Sequence, residues 1–390
     1  MKMNTNKTTL ALMIASCFVT SAIAQETKTL SSVVVTATRV EQDSFDLPMA
    51  IDKVERSAIE DSQLRMTLSE SLARVPGITA QNRNQMAQDP QISSRGFGAR
   101  SAFGVRGVRI YVDGIPLSMP DGIGNPGSVD LDTIGTIEVM RGPFSAMYGN
   151  SSGGVIQMFT RPIPKTPEVS GDVLFGSFGT RRESVQAAGT RQGVDYLLNY
   201  SNFESDGYRA QSANEKRQAT AKLGVKLSDD TKLTTLINWF DQYALDPGGL
   251  TAANLNTSYK MASANNVAAN ARVIRSNTQV GFNLEKVLDS QNTLNAITYI
   301  GQRDNSQFLS TGGNAGRTGR DSVIARDFYG AELRMTHRGT ILARPYTATA
   351  GVNIGFMNDT RTDLPASAGV VSGSATRDET QKADNIDQYV

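Results

Sequence analysis

From about residue 168 to the end of the chain, apolar and polar residues alternate with a period of two. Between Tyr346 and Phe356, Tyr346, Ala348, Ala350, Val352, Ile354 and Phe356 share one face, while Thr347, Thr349, Gly351, Asn353 and Gly355 share the other. Successive side chains of a strand point to opposite sides, so this period predicts strands with one apolar face. The same split recurs at Tyr329/Ala331/Leu333/Met335 against Gly330/Glu332/Arg334, and at Val280/Phe282/Leu284 against Gly281/Asn283/Glu285. It appears again at Leu223/Val225/Leu227 against Lys222/Lys226, and more loosely at Tyr196/Leu198/Tyr200. About nine or ten such runs are present, many of them about ten residues long, the length a tilted strand needs to cross a bilayer. Thr190 to Val194 and Leu227 to Lys232 are tight connections, whereas Tyr243 to Arg272 and Asp304 to Val323 are long and rich in Asn, Gly, Ser and Ala. Short turns on one side and long loops on the other predict a transmembrane antiparallel β-barrel. A secreted β-sandwich also alternates, but its strands average about five or six residues, which favours the barrel.

Residues 25–165 read differently. Thr67 with Glu70 three positions on forms a capping box, and Leu68, Leu72 and Val75 fall on one face until Pro76-Gly77 ends the turn, which predicts a short amphipathic helix. Arg109–Val112 and Ile137–Met140 are β-branched or aromatic strands closed by glycine turns, and Val155–Thr160 makes a third strand. The first region is therefore a small α/β domain. Arg161-Pro162-Ile163-Pro164-Lys165-Thr166-Pro167 interrupts any regular element and marks its end.

The first residues read as an export signal: Lys2 and Lys7, an apolar stretch from Leu10 to Val19, then Ala22-Ile23-Ala24 before Gln25. A competing reading takes Ile14-Ala15-Ser16-Cys17 as a lipoprotein box with Cys17 lipidated, at the cost of halving the apolar stretch and leaving Ala22-Ile23-Ala24 unexplained. The expected organisation is a signal at 1–24, an extension at 25–45, the α/β domain at 46–165 and a partial barrel at 166–390.

Composition mainly excludes. Lys+Arg (39) balances Asp+Glu (38), so nothing suggests a nucleic-acid partner. No segment approaches the roughly 20 apolar residues of a membrane helix. With one histidine, His337, and one cysteine, Cys17, no nitrogen or sulfur cluster exists to hold zinc or copper, and no metal or cofactor site is expected. Gly122-Ile123-Gly124-Asn125-Pro126-Gly127 matches a dinucleotide fingerprint but contains proline and lacks the strand-then-helix frame, so it reads as a flexible loop. Gly149-Asn150-Ser151-Ser152-Gly153 matches a nucleophile elbow, yet the sole histidine lies far away in a predicted strand, so Ser151 reads as a turn residue. No catalytic residue is expected; the chain does not read as an enzyme.

Ser32-Val33-Val34-Val35-Thr36-Ala37-Thr38-Arg39 resembles the TonB box of TonB-dependent outer-membrane receptors with its usual downstream Thr-Ala-Thr-Arg. An extended β-branched run near a chain end can add to another protein's sheet edge through backbone hydrogen bonds; an ordinary first strand of the domain is the alternative. The resemblance continues in order through Leu68–Ile78, Ser94-Arg95-Gly96-Phe97-Gly98, Ile110–Pro116, Ile137–Pro143, Ser145–Gly149 and Gly153–Ile156. It implies an α/β plug domain inside a transmembrane antiparallel β-barrel of about 22 strands. It further implies uptake of a scarce chelate, chiefly a ferric siderophore or ferric citrate, by a receptor embedded in outer-membrane lipid and energised by the proton gradient through TonB. Ser32, Val33, Val34, Val35 and Thr36 would bind TonB. Position in the motif series makes Arg83, Asn84, Gln85, Met119 and Asp121 the candidates for touching cargo, arginine suiting anionic chelate oxygens through paired hydrogen bonds. Arg95, Arg141 and Glu138 are read as internal plug salt bridges against the barrel wall.

Two departures from the family pattern stand out. Only Gln25 to Ser31 precede the box, which disfavours an added signalling domain. From Val169 onward about 220 residues remain, fewer than half of what 22 strands of roughly ten residues with their loops require, so the sequence is expected to be a fragment or a truncated frame. A remnant that does not transport, or a secreted surface protein with a plug-like domain, are the alternatives.

Overall fold

A computed structural model describes residues 34–35, 42–43, 50–82, 85–101, 104–142, 145–311 and 319–389. The export signal lies outside them. Two short segments, β1 (Val34–Val35) and β2 (Gln42–Asp43), pair antiparallel, Val34 opposite Asp43 and Val35 opposite Gln42.

The plug is built on five strands, β3 (Ala50–Glu55), β7 (Val108–Val112), β8 (Ile115–Pro116), β10 (Ile134–Arg141) and β11 (Gly154–Thr160), in the order β3-β10-β11-β7-β8. Only β11 and β7 run parallel. Both faces of this sheet are covered, which is why β7 reads as an unbroken buried run rather than an alternating one. Smaller pairs flank it: β4 (Ile78–Gln81) with β5 (Gln91–Ser94), and β6 (Val105–Arg106) with β9 (Ile123–Gly124). Helices α1 (Arg56–Glu60) and α2 (Leu68–Leu72) bury Ile59, Leu68 and Leu72. The Thr67 amide donates to Glu70 Oε1 at 2.9 Å, as the capping-box spacing requires. Gly154 opens β11 at φ +129°, where a Cβ would sit 2.2 Å from the Met140 carbonyl oxygen, so only glycine lets β10 and β11 close on each other there. The Gly122–Gly127 segment is an ordered part of the plug rather than a flexible loop: it supplies β9 and a 3-10 turn at Pro126–Ser128, held by β6. Ser151 is a fully buried turn residue whose amide donates to the Gly149 carbonyl at 2.7 Å. A final helix of the plug, α3, spans Ser145–Tyr148.

The second region forms one antiparallel sheet of eleven strands: β12 (Glu168–Phe175), β13 (Arg181–Arg191), β14 (Val194–Ser205), β15 (Asn214–Ser228), β16 (Thr231–Leu245), β17 (Arg272–Val287), β18 (Asn292–Ser310), β19 (Gly319–Ile341), β20 (Arg344–Ser367), β21 (Val370–Val371) and β22 (Arg377–Tyr389). β21 and β22 pair with successive stretches of β20, so the eleven strands fill ten places across the sheet. Turns at 192–193, 229–230, 288–291 and 342–343 are tight, and the connections at the other end are longer, the longest, 246–271, carrying α4 (Ala252–Thr257) and α5 (Ala264–Ala268). The connection expected between Asp304 and Val323 is shorter than the sequence suggested, because β18 runs to Ser310 and β19 starts at Gly319. Polarity is inverted relative to a water-soluble sheet. Ile300, Leu333 and Tyr329 on the outer face are 60%, 55% and 52% exposed, while Gln186, Asn199, Gln218, Asn238, Asn277 and Gln279 on the inner face are buried.

That inner face is buried because the plug lies against it. Leu236, Ile297, Phe328 and Met357 of the wall join the plug's own core. A Cβ at Gly281 would meet Ile115 Cδ1 at 2.3 Å, so glycine in β17 is what admits the β8 side chain. Elsewhere the junction is polar. Successive inward positions of the wall grip the segment Gly127–Asp132: Lys216 Nζ donates to the Gly127 carbonyl (3.0 Å), Gln218 to that of Val129 (3.2 Å) and Asn199 to Asp130 Oδ2 (2.9 Å). Arg182, nearly inaccessible, forms an ion pair with Asp132, which also meets Arg65 at 3.1 Å. Both arginines reach Asp172 of β12 as well.

Candidate functional site

On the side of the long connections, plug and wall enclose a cavity of about 220 Å³. The plug contributes Ala87, Gln88 and Asp89 from the turn between β4 and β5; the wall contributes Arg275 of β17, Arg303 of β18 and Arg326 of β19. Period-two geometry puts all three arginines on inward positions, so the same alternation that turns Ile274 and Ile300 outward aims the guanidinium groups at the plug.

These arginines are differently occupied. Arg275 donates through Nη1 to Asp89 (2.8 Å), through Nη2 to the Met86 carbonyl (3.0 Å) and through Nε to Gln242 Oε1 (2.8 Å). Gln242 in turn donates to the same Met86 carbonyl, so Arg275 is a pin for the plug turn. Arg326 is held by both oxygens of Asp359, at 2.6 and 2.5 Å, with Asp121 at 3.5 Å. Arg303 has, among the described residues, one ion-pair contact, Asp89 Oδ2 at 3.7 Å, and no hydrogen bond. Lys216 lies close enough to act on Asp89 but spends its ammonium on the Gly127 carbonyl and the Phe240 ring. Asp89, Asp121 and Asp359 stand against the three arginines and Asp130 also faces Lys216, so the formal charges balance, and Arg303 is the group with donors to spare. Burial works to raise the Asp89 carboxyl, but Arg275, Arg303 and Lys216 outweigh it and hold it below the usual aspartate value. The site can therefore take an anionic oxygen on Arg303 with no rearrangement of Arg275 or Arg326.

The sequence-derived candidates fall in several places. Asp121 stands beside Arg326 at the edge of this cluster. Gln85 is buried and turns inward to accept the Ala87 amide at 2.8 Å, shaping the turn that carries Asp89. Met119 is 3% exposed and packs in the plug core, because its amide bonds Ile123 and its carbonyl accepts from Gly122 in a closed turn. It therefore does not face the cavity, against the expectation that it touches cargo. Arg83 and Asn84 lie outside the described residues, as do Ser32, Val33 and Thr36 of the box; Val34 and Val35 are β1. Arg141 pairs with Asp52 of β3 and the Pro76 carbonyl, both inside the plug rather than on the wall. Arg275, Arg303 and Arg326 were not singled out from the sequence; the available signal was their inward parity, which they share with other charged residues such as Glu285, Glu332 and Arg334.

A family model described as TonB-dependent Receptor Plug Domain matches residues 43–155. Among curated proteins, the hemin receptor of Yersinia pestis is 26% identical over 283 residues, covering 69% of this chain and 39% of that protein. The vitamin B12 transporter BtuB of Vibrio vulnificus is 30% identical over 218 residues, 52% of this chain and 33% of its own length. Among solved structures, the unliganded ferric citrate transporter FecA superposes with a TM-score of 0.74 at 22% identity, over 92% of this chain and 55% of FecA. The pyoverdine receptor FpvA of Pseudomonas aeruginosa gives 0.73 at 15% identity, over 90% and 55%. The chain thus spans about two fifths of the hemin receptor and about half of the superposed structures. Residues 43–155 thus match the plug domain of TonB-dependent receptors, and the apolar-outside wall around them has the fold of the superposed outer-membrane receptors.

Proposed function

We propose that the receptor containing this plug and wall imports an anionic metal chelate, with a ferric siderophore or ferric citrate as the favoured cargo, and that TonB supplies the work. The observation that carries the reading is Arg303, a lumen guanidinium with spare donors, on the long-loop side where plug meets wall. The cavity, about 220 Å³, suits one anionic arm of a chelate rather than a whole complex, the remainder resting among the long loops. Val34 and Val35 already have strand geometry, and a TonB strand would extend β1 by backbone hydrogen bonds. Pulling on that segment would draw on the plug, whose junction with the wall is largely polar and so exchanges hydrogen bonds for water as it opens.

The test is uptake by cells bearing the complete receptor, offered labelled ferric citrate, hemin and cobalamin in turn. Uptake of an anionic chelate that stops when the proton gradient is collapsed is expected. Val34→Pro should abolish uptake and spare binding, since proline removes a strand donor. Preference for uncharged cobalamin would refute the anionic reading, and uptake indifferent to the gradient would refute the TonB reading.

A further inference from the structure

Resting on the anionic-cargo reading above, we infer that Arg303 and Asp89 form an exchange switch, in which the cargo anion displaces the plug carboxylate from the wall arginine and so reports occupancy to the plug. Asp89 belongs to the plug, in the turn joining β4 to β5, and is shared by two wall arginines. To Arg275 it makes a 2.8 Å hydrogen-bonded pair; to Arg303 it makes a looser 3.7 Å contact. The looser partner is the one with unused N–H groups facing the cavity, and Arg275 and Arg326 on either side both repel it. An incoming anion therefore satisfies Arg303 better than Asp89 does, and the two negative groups cannot both crowd one guanidinium without repulsion. Asp89 then leans on Arg275 alone, and the turn loses one of its two charged tethers to the wall.

The same turn is also fastened to the long outer connection, which Arg209 in turn braces. Gln88 donates to Asp246 Oδ2 at 3.1 Å, at the root of the 246–271 connection, where Asp246 also accepts the Gly248 amide. Arg209 bonds the Pro247, Gly248 and Met261 carbonyls of that connection. A change at Asp89 thus lies one residue from a contact with the outer loop and in the turn that leads directly into β5. Coupling of this kind is reciprocal: if the anion weakens the Asp89 tether, the tether weakens anion binding by the same factor.

Hydrogen exchange of residues 85–94 in the detergent-solubilised complete receptor, with ferric citrate and hemin titrated in turn, tests this. In the wild type, saturation is expected to speed exchange of this segment roughly threefold to fivefold, the range for a partly exposed ion pair. Asp89→Asn should exchange faster without ligand, show no further response, and bind the chelate tighter by a similar factor; Asp89→Glu should restore the wild-type pattern and shows that charge rather than misfolding is responsible. Slower or unchanged exchange on saturation of the wild type, or weaker binding by Asp89→Asn, overturns the switch while leaving the cargo site standing. Arg303→Gln binding both chelates as tightly as the wild type, or neither chelate binding the wild type, overturns the cargo site and the switch with it.

Discussion

Replacing Asp132 by asparagine tests whether the plug is clamped to the wall by charge. Asp132 and Arg182 are almost wholly buried, with side chains 4% and 2% exposed. Arg65, 12% exposed, contacts both Asp132 and Asp172, so two arginines face two carboxylates in one enclosed cluster. Asp132→Asn keeps the shape and the bond from the Gln186 side chain to the Asp132 carbonyl, but leaves two guanidinium groups with Asp172 as their one ion-pair partner and Asp130 as a more distant carboxylate. Breaking one side of a buried pair costs about 3–5 kcal/mol, chiefly because a charge is left uncompensated. Taking the lower value, because Asp172 is 43% exposed and water reaches it, the docked plug should lose about 3 kcal/mol. That corresponds to an increase on the order of a hundredfold in local opening. Hydrogen exchange of the 125–141 segment in the solubilised receptor reads this directly. The double variant Asp132→Leu/Arg182→Met, which leaves the neutral Arg65–Asp172 pair behind, should recover most of the loss. An increase of less than about fivefold in the single variant, or a double variant worse than the single, would show that the clamp is not electrostatic.

Asp130, two residues before Asp132 in the same segment, should give plug docking an unusual pH dependence. Burial first, and the neighbouring Asp132 charge second, push its carboxyl from 3.8 up to about 6, against the bonds from Asn199 and Thr220. A carboxyl raised in the docked state favours docking most below about pH 4 and loses that contribution as pH rises through about 6; Asp130→Asn should flatten the profile and tighten docking at pH 7.5 by up to about 3 kcal/mol, measured by exchange across pH 5 to 8. Gly281→Val should drive a side chain into Ile115 and either misplace β8 or destabilise the receptor by about 1–3 kcal/mol, visible as a lowered unfolding temperature; an unchanged temperature would mean that β8 does not dock there. Glu70→Ala removes the acceptor for the Arg65, Met66 and Thr67 amides and should cost about 1–2 kcal/mol in local stability of α2, again by exchange, whereas no change would mean that water replaces the cap.

The wall was legible because its two faces meet different surroundings, and period-two alternation records that difference residue by residue. Runs such as Tyr346 to Phe356 needed no tertiary information to be read as strands. Plug strands such as β7 were legible through β-branched composition and closing turns, not through alternation, since both their faces are buried. The arginine site was not legible, for a geometrical reason. Arg275, Arg303 and Arg326 are far apart in sequence and meet only because three tilted strands bring inward positions to one level, and nothing local says which plug turn lies opposite. Asp121 was nominated because it sits in a motif-defined plug loop, and it stands beside Arg326; Met119, two residues earlier, is buried instead, because a loop's outward direction does not fix the direction of each side chain in it. Met119 folds back under Ile123 and fills the core.

The inverted polarity of the wall has a consequence for how such a chain comes into being. A sheet that shows Ile300, Leu333, Tyr329 and their neighbours to its surroundings has no stable resting place in water. Between synthesis and arrival in lipid it must either stay unfolded or be escorted, because a finished wall would stick to its copies before it reached a bilayer. Folding and insertion are then a single event, with lipid as the last component to be added.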